Sequence, residues 1–124
     1  PILRKLELKT PSLYQTIGNL SGGNQQKVSV AKWLAAGVKF LIIDEPSVGI
    51  DIKTKAYLHD LIHELANEGT AILLITSDMP EMIDVADRIL VMDDYQIMGE
   101  VENDRNYERV SRQIMGFIHG REAA

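Results

Sequence analysis

Cysteine is absent from all 124 residues. A disulfide framework, a thiolate metal site and a cysteine nucleophile are therefore excluded, and a reducing compartment is the default expectation. Long apolar runs are also missing: stretches such as Phe40 to Ile43 and Ala71 to Ile75 fall far short of the roughly 18 residues of a membrane-spanning helix. The start, Pro1-Ile2-Leu3-Arg4-Lys5, has no charged segment leading into a long apolar stretch and a small-residue cleavage site, so no secretion signal is expected. Basic residues are in the minority, 13 against 18 acidic, for a net charge of −5. A surface built to neutralise a nucleic-acid backbone is not expected.

What the chain has is enough apolar material for one small domain, 45% of its residues. Val28, Ala31, Leu34 and Ala35 recur at helical spacing after Ser21-Gly22-Gly23, and Gly37 stands where a C-terminal cap would be. The spacing predicts a helix from about Gly23 to Ala36. Lys39 to Ile43, bounded by Gly37 and Asp44-Glu45-Pro46, reads as a buried parallel strand. Asp51 is the expected N-cap of a helix carrying Tyr57, Leu58, Leu61, Ile62 and Leu65 and closed at Asn67-Glu68-Gly69. A second strand is expected over Ala71 to Thr76, a short helix begins at Pro80, and a third strand covers Arg88 to Met92. Asp93-Asp94-Tyr95 reads as a hairpin turn into Gln96 to Val101, and Tyr107, Val110, Ile114, Phe117 and Ile118 define a last amphipathic helix. Such alternation predicts an α/β fold: a mostly parallel sheet with flanking helices and an antiparallel edge hairpin.

Three places carry chemistry. Leu20-Ser21-Gly22-Gly23 opens a helix, where orphan backbone N–H groups and the positive end of the helix dipole suit an anion, phosphate first. Taken alone it is equally an ordinary serine N-cap on a glycine-rich turn. Asp44-Glu45 ends an apolar strand, where open α/β sheets put their ligands; an acidic turn before Pro46 is the plainer alternative. His59 and His63 lie one helical turn apart, but Asp60 stands where a metalloprotease motif needs Glu and no third ligand follows. They are expected to border the apolar stripe of a solvated helix.

The run Leu20 to Val28, with its extension Asn24-Gln25-Gln26-Lys27-Val28, resembles the signature motif of ABC-type ATP-binding cassettes. Leu41-Ile42-Ile43-Asp44-Glu45-Pro46 resembles their Walker B segment, and Ser47-Val48-Gly49-Ile50-Asp51 their D-loop. The family's switch histidine has Ser77 in its place, within Thr76-Ser77-Asp78; a serine donates a hydrogen bond but cannot become an imidazolium. With Met79-Pro80-Glu81-Met82 following, that place resembles the second cassette of fused two-cassette bacterial sugar importers of the ribose, galactose or xylose type.

The resemblance implies ATP and Mg2+ as ligands. Glu45 would be general base, Asp44 would serve the metal through water, and Ser77 would stand in the switch position. Ser21, Gly22, Gly23 and Asn24 would cap a partner's ATP, with Asp51 at the same interface. It implies residues 1–36 as the end of the helical subdomain and 37–124 as the second half of the catalytic subdomain. Its implied partners are a second cassette, membrane-spanning permease subunits and, indirectly, a sugar-binding protein, with the assembly at the cytoplasmic face of the bacterial membrane. A nucleotide-sensing half unable to hydrolyse, or an ABC-type protein outside transport, stays open as an alternative. No Gly-x-x-x-x-Gly-Lys-Ser/Thr run exists: Gly23 to Ser29 has the lysine and the hydroxyl but lacks the second glycine. The phosphate-cradling loop is expected upstream of Pro1, and its strand would lie between Ala71–Thr76 and Arg88–Met92. Without that strand the sheet is expected to have a gap, and self-association through the exposed edge follows.

Overall fold

The computed structural model describes Asn24, Gln25, Val28, Ser29, Lys32 and residues 36–120. The chain divides after Ile75 into two compact units, and the described residues of each form one two-stranded sheet with helices.

In the first unit Asn24, Gln25, Val28, Ser29, Lys32 and Ala36 are helical, as the spacing predicts. The other residues of that stretch, Gly23 among them, lie outside the described set. Gly37 takes a left-handed φ of +60, the conformation that closes a helix and that glycine adopts without a Cβ penalty. Strand β1 (Phe40–Asp44) pairs in parallel with β2 (Ala71–Ile75), Phe40 opposite Ala71 through Asp44 opposite Ile75. Parallel neighbours need a crossover, and helix α1 (Ile52–Asn67) supplies it. Asp51 caps α1 as expected, its carboxylate accepting from Thr54 N–H at 2.9 Å and Thr54 Oγ1 at 3.0 Å.

Helix α1 buries Leu58, His59, Leu61, Ile62 and Leu65 on one stripe and packs on β2. After α1, Thr70 returns the chain to the sheet: its N–H reaches Leu65 O at 3.1 Å, and its hydroxyl donates to Val38 O at 3.2 Å. Strand alternation sorts the side chains. Leu41, buried, and Ile43, Ile72 and Leu74, half-buried, share one face; Phe40, Ile42, Ala71, Leu73 and Ile75 share the other and are exposed.

The second unit runs from Thr76. Helix α2 (Met79–Val85) has Asp78 as N-cap and Pro80 in its first turn, where a missing N–H costs nothing. Strands β3 (Arg88–Asp93) and β4 (Gln96–Glu102) form an antiparallel hairpin closed by Asp94 and Tyr95, both left-handed at φ 47 and 60, which suits the twist of a two-residue turn. Its register slips between Val91, opposite Gly99, and Met92, opposite Ile97, leaving Met98 as a bulge. Helix α3 (Tyr107–His119), capped by Asn106, lays Val110 and Ile114 onto the sheet. Ile83, Ile89, Val91, Val101, Val110 and Ile114 make the core, with Met79, Met82, Ala86, Phe117 and Ile118 around it.

Asn103 fastens the β4–α3 link. Its amide donates to Ile83 O at 2.7 Å and Ala86 O at 2.6 Å, and its Oδ1 accepts from Arg105 N–H at 3.0 Å. Tyr107, expected in the apolar stripe of α3, is 52% exposed. It is the first residue after the cap, and the docking face begins one turn later at Val110. Strands β2 and β3 belong to separate sheets.

Candidate functional site

Asp44 is the last residue of β1 and lies opposite Ile75, on the face that Phe40 and Ile42 leave exposed. Glu45 follows in the left-handed region at φ 47, half-buried, its N–H extending the ladder to Ile75 O at 2.8 Å. A non-glycine residue pays for that conformation in contact between Cβ and its own backbone. The left-handed residue ends the regular alternation of the strand at Asp44. Buried Pro46 follows, and two tight turns close the loop: Val48 N–H to Glu45 O and Ile50 N–H to Ser47 O, both 3.4 Å, with Gly49 left-handed at +75.

Asp51 stands across loop 46–50 from the acidic pair, at the start of α1. The Thr54 backbone N–H, then the Thr54 hydroxyl, hold its carboxyl below the usual aspartate range. Both oxygens of its side chain thus take part in closing the helix end.

In the second unit Thr76, Ser77 and Asp78 lead into α2 through a closed ring of hydrogen bonds. Thr76 Oγ1 donates to Glu81 Oε2 at 2.5 Å; Glu81 N–H donates to Asp78 Oδ1 at 2.8 Å; Asp78 N–H donates to Thr76 Oγ1 at 3.1 Å. Glu81 is 1% exposed. Ser77 sits exposed between two corners of the ring. Sequence reasoning missed Glu81. Its signal was present as Asp78-Met79-Pro80-Glu81, an N-cap with an acidic third helical residue, which is the spacing of a capping box. Here Glu81 reaches Thr76 instead of the cap's own N–H, because the threonine hydroxyl already accepts from that N–H.

Of the residues expected to cap an anion, Asn24 is helical and half-buried, while Ser21, Gly22 and Gly23 lie outside the described residues. The structure brings Asp44 and Glu45 together at one strand end. Among the described residues no three His, Cys, Asp or Glu side chains converge on a metal position. A single carboxylate such as Asp44 suits a hard cation that keeps most of its water, as magnesium does. His59 is 7% exposed, more deeply placed than the border position expected of it, and His63 is half-buried.

A parallel strand pair joined by a crossover helix puts these carboxylates beyond the carboxyl end of a strand, where open α/β sheets place their ligands. The same backbone recurs in solved ATP-binding cassettes. One cassette of an ABC transporter, in its ADP conformation, superposes with a TM-score of 0.77 at 25% identity, over 96% of this chain and 47% of that one. A dimeric cassette bound to ADP and Pi gives 0.70 at 25% identity, over 82% and 44%.

The family model described as ABC transporter matches residues 2–48. A ribose import ATP-binding protein of Streptomyces coelicolor is 46% identical over 120 residues, 97% of this chain and 23% of its own length. An arabinose import ATP-binding protein of Mannheimia succiniciproducens is 47% identical over 113 residues, 90% of this chain and 22% of its own. The chain belongs to the ATP-binding cassettes of ABC transporters. It spans about a quarter of the length of the curated relatives it matches.

Proposed function

We propose that this chain is the C-terminal part of a cassette that hydrolyses ATP to energise import of a sugar across the bacterial inner membrane. The observation that carries the chemical part is the Asp44–Glu45 pair, set at the carboxyl end of an apolar parallel strand and turned by a left-handed residue. Identities of 46–47% to ribose and arabinose import proteins over nine-tenths or more of the chain support the transport part.

In this reading Glu45 orients the attacking water and takes its proton, the role of a carboxylate within reach of the γ-phosphate. Asp44 holds magnesium through its water shell, and the ion when bound neutralises charge on the β- and γ-phosphates. The Ser77 hydroxyl donates to a γ-phosphate oxygen, supplying a neutral hydrogen bond where an imidazole would add charge. Ser21, Gly22, Gly23 and Asn24 cap the nucleotide held by a second cassette, at an interface that Asp51 borders.

The loop that cradles the phosphates comes from polypeptide outside these 124 residues, so this chain by itself does not turn ATP over. Permease subunits would bind the assembled cassettes at the cytoplasmic face, and a sugar-binding protein would deliver substrate to them. Among the described residues no helix is long and apolar enough to cross a membrane.

The test is ATP hydrolysis and sugar uptake by the full-length polypeptide reconstituted with its permease. Glu45→Gln keeps size and hydrogen bonding but removes the base, and the expected loss in hydrolysis is about 100-fold or more, the range for a general base. Hydrolysis unaffected by Glu45→Gln overturns the assignment.

A further inference from the structure

Thr76 and Glu81 have no role in the reading above, yet one of the most deeply buried side chains among the described residues is the Glu81 carboxylate, 1% exposed. A carboxylate is taken out of water only when fixed hydrogen-bond donors replace its hydration. Here a donor is the hydroxyl of Thr76, at 2.5 Å. The same hydroxyl accepts from Asp78 N–H at 3.1 Å, and Asp78 Oδ1 accepts from Glu81 N–H at 2.8 Å. Three residues thus close a cycle through one hydroxyl, two carboxylates and two backbone amides.

Ser77 is the residue this cycle encloses. Its own backbone lies between Thr76 and Asp78, the two residues whose separation is set by the Asp78 N–H to Thr76 Oγ1 bond. A helix cap alone would not need the buried acid, because Asp78 already satisfies the Glu81 N–H. What Glu81 adds is a fixed rotamer for Thr76: with the hydroxyl proton committed to the carboxylate, its lone pairs are aimed at Asp78 N–H.

We infer that Thr76 and Glu81 are positioning residues for Ser77, holding its exposed hydroxyl at one place on a turn whose other residues, Thr76 and Asp78, are half-buried. The inference rests on the reading that Ser77 meets the γ-phosphate. A short side chain that must donate to a phosphate oxygen has little reach with which to correct a misplaced backbone, so the turn beneath it has to be rigid before substrate arrives.

The experiment is steady-state ATP hydrolysis by the full-length polypeptide carrying Thr76→Val, Thr76→Ser, Glu81→Gln, Glu81→Leu or Ser77→Ala, with thermal unfolding followed for each. Thr76→Val keeps the shape and removes the hydroxyl. Its kcat is expected to fall about tenfold, with KM for ATP changed less than about twofold, the pattern of an interaction made only in the transition state. Thr76→Ser restores the hydroxyl and kcat with it. Glu81→Gln keeps an acceptor oxygen and stays nearer to the unmodified protein than Glu81→Leu, which resembles Thr76→Val.

If Thr76→Val leaves kcat unchanged, or if Thr76→Ser loses as much as Thr76→Val, the positioning role is overturned. Ser77→Ala separates the two layers of the argument. Loss with Ser77→Ala but not with Thr76→Val leaves the nucleotide-site reading standing and sinks the positioning inference; full activity in Ser77→Ala removes both.

Discussion

The ring of Phe117 on α3 lies directly over Gly99 of β4, so close that a β-carbon at Gly99 would fall inside the van der Waals envelope of its Cδ1, Cε1 and Cζ atoms. Glycine here serves close approach and not a special φ. The bulge that sets Gly99 opposite Val91 also brings its bare backbone under the helix. Gly99→Ala is therefore expected to cost about 1–3 kcal/mol by forced displacement of the ring. Phe117→Leu opens space, so the double variant is expected to lose less than the sum of the two single changes. Urea unfolding of the four proteins checks it, and simple additivity would show that the ring moves aside freely.

Two non-glycine residues with left-handed backbone make a contrasting pair. Tyr95, at φ 60, is 97% exposed in a two-residue hairpin turn. Its side chain contributes nothing to packing there, so Tyr95→Gly is expected to stabilise the protein by about 1 kcal/mol and leave hydrolysis unchanged.

Glu45, at φ 47, holds the same kind of strain at the strand end. Glu45→Gly is likewise expected to stabilise by about 1 kcal/mol, but to abolish ATP hydrolysis. The relief at both sites, with activity lost at only one, would identify the strain at Glu45 as the cost of aiming a catalytic carboxylate. A Glu45→Gly protein no more stable than the parent would refute stored strain at that position.

These elements differ in how far the sequence announced them. Short apolar runs marked β1, β2 and β3 to within a residue or two, because burial dictates composition there. The end of β1 moved from Ile43 to Asp44 because pairing with β2 carries the ladder past the last apolar residue. The cap Asp51 was legible, as was Pro80 in the first turn of α2, because each acts on backbone only a few residues away. The acidic pair was legible in its position at the end of β1. Glu81 was not: apolar periodicity says nothing of a buried charge, and its partner Thr76 lies outside the helix that holds it. His59 was placed at the border of the stripe, yet it lies beside Leu58 among the buried residues of α1.

Acid will expose the capping of α1. Because the Asp51 carboxyl is held below its ordinary range by the Thr54 N–H and hydroxyl, its contribution is full above the unfolded aspartate value. It is lost as pH falls through the lower folded one. Asp104 behaves alike, depressed first by its hydrogen bond from Arg109 and then by Asn106 N–H. Both groups are fully exposed, so the effect of each is small and directional. Asp51→Asn, which keeps a capping oxygen but cannot titrate, is expected to flatten the fall in melting temperature below about pH 4. Asp51→Ala lowers the melting temperature at neutral pH as well. Identical pH profiles for Asp51→Asn and the parent would remove Asp51 from the acid response.

The last prediction concerns what the sheet leaves open. Strand β2 is paired with β1 along one edge, and among the described residues no strand takes the other. Leu73 and Ile75 on β2 are 44% and 47% exposed, beside Ile42 at 57% and Phe40 at 59% on β1. Parallel strands are ordinarily covered on both faces, and an unpaired edge with apolar flanks templates another strand. The isolated 124-residue chain is therefore expected to associate with its own copies through this edge, with light scattering reading a mass above 13.9 kDa. A lysine at Leu73 places charge on the exposed face and is expected to return the chain toward the monomer while the Leu41 face keeps its cover. A monodisperse monomer whose β2 amides are all protected from hydrogen exchange would refute the open edge.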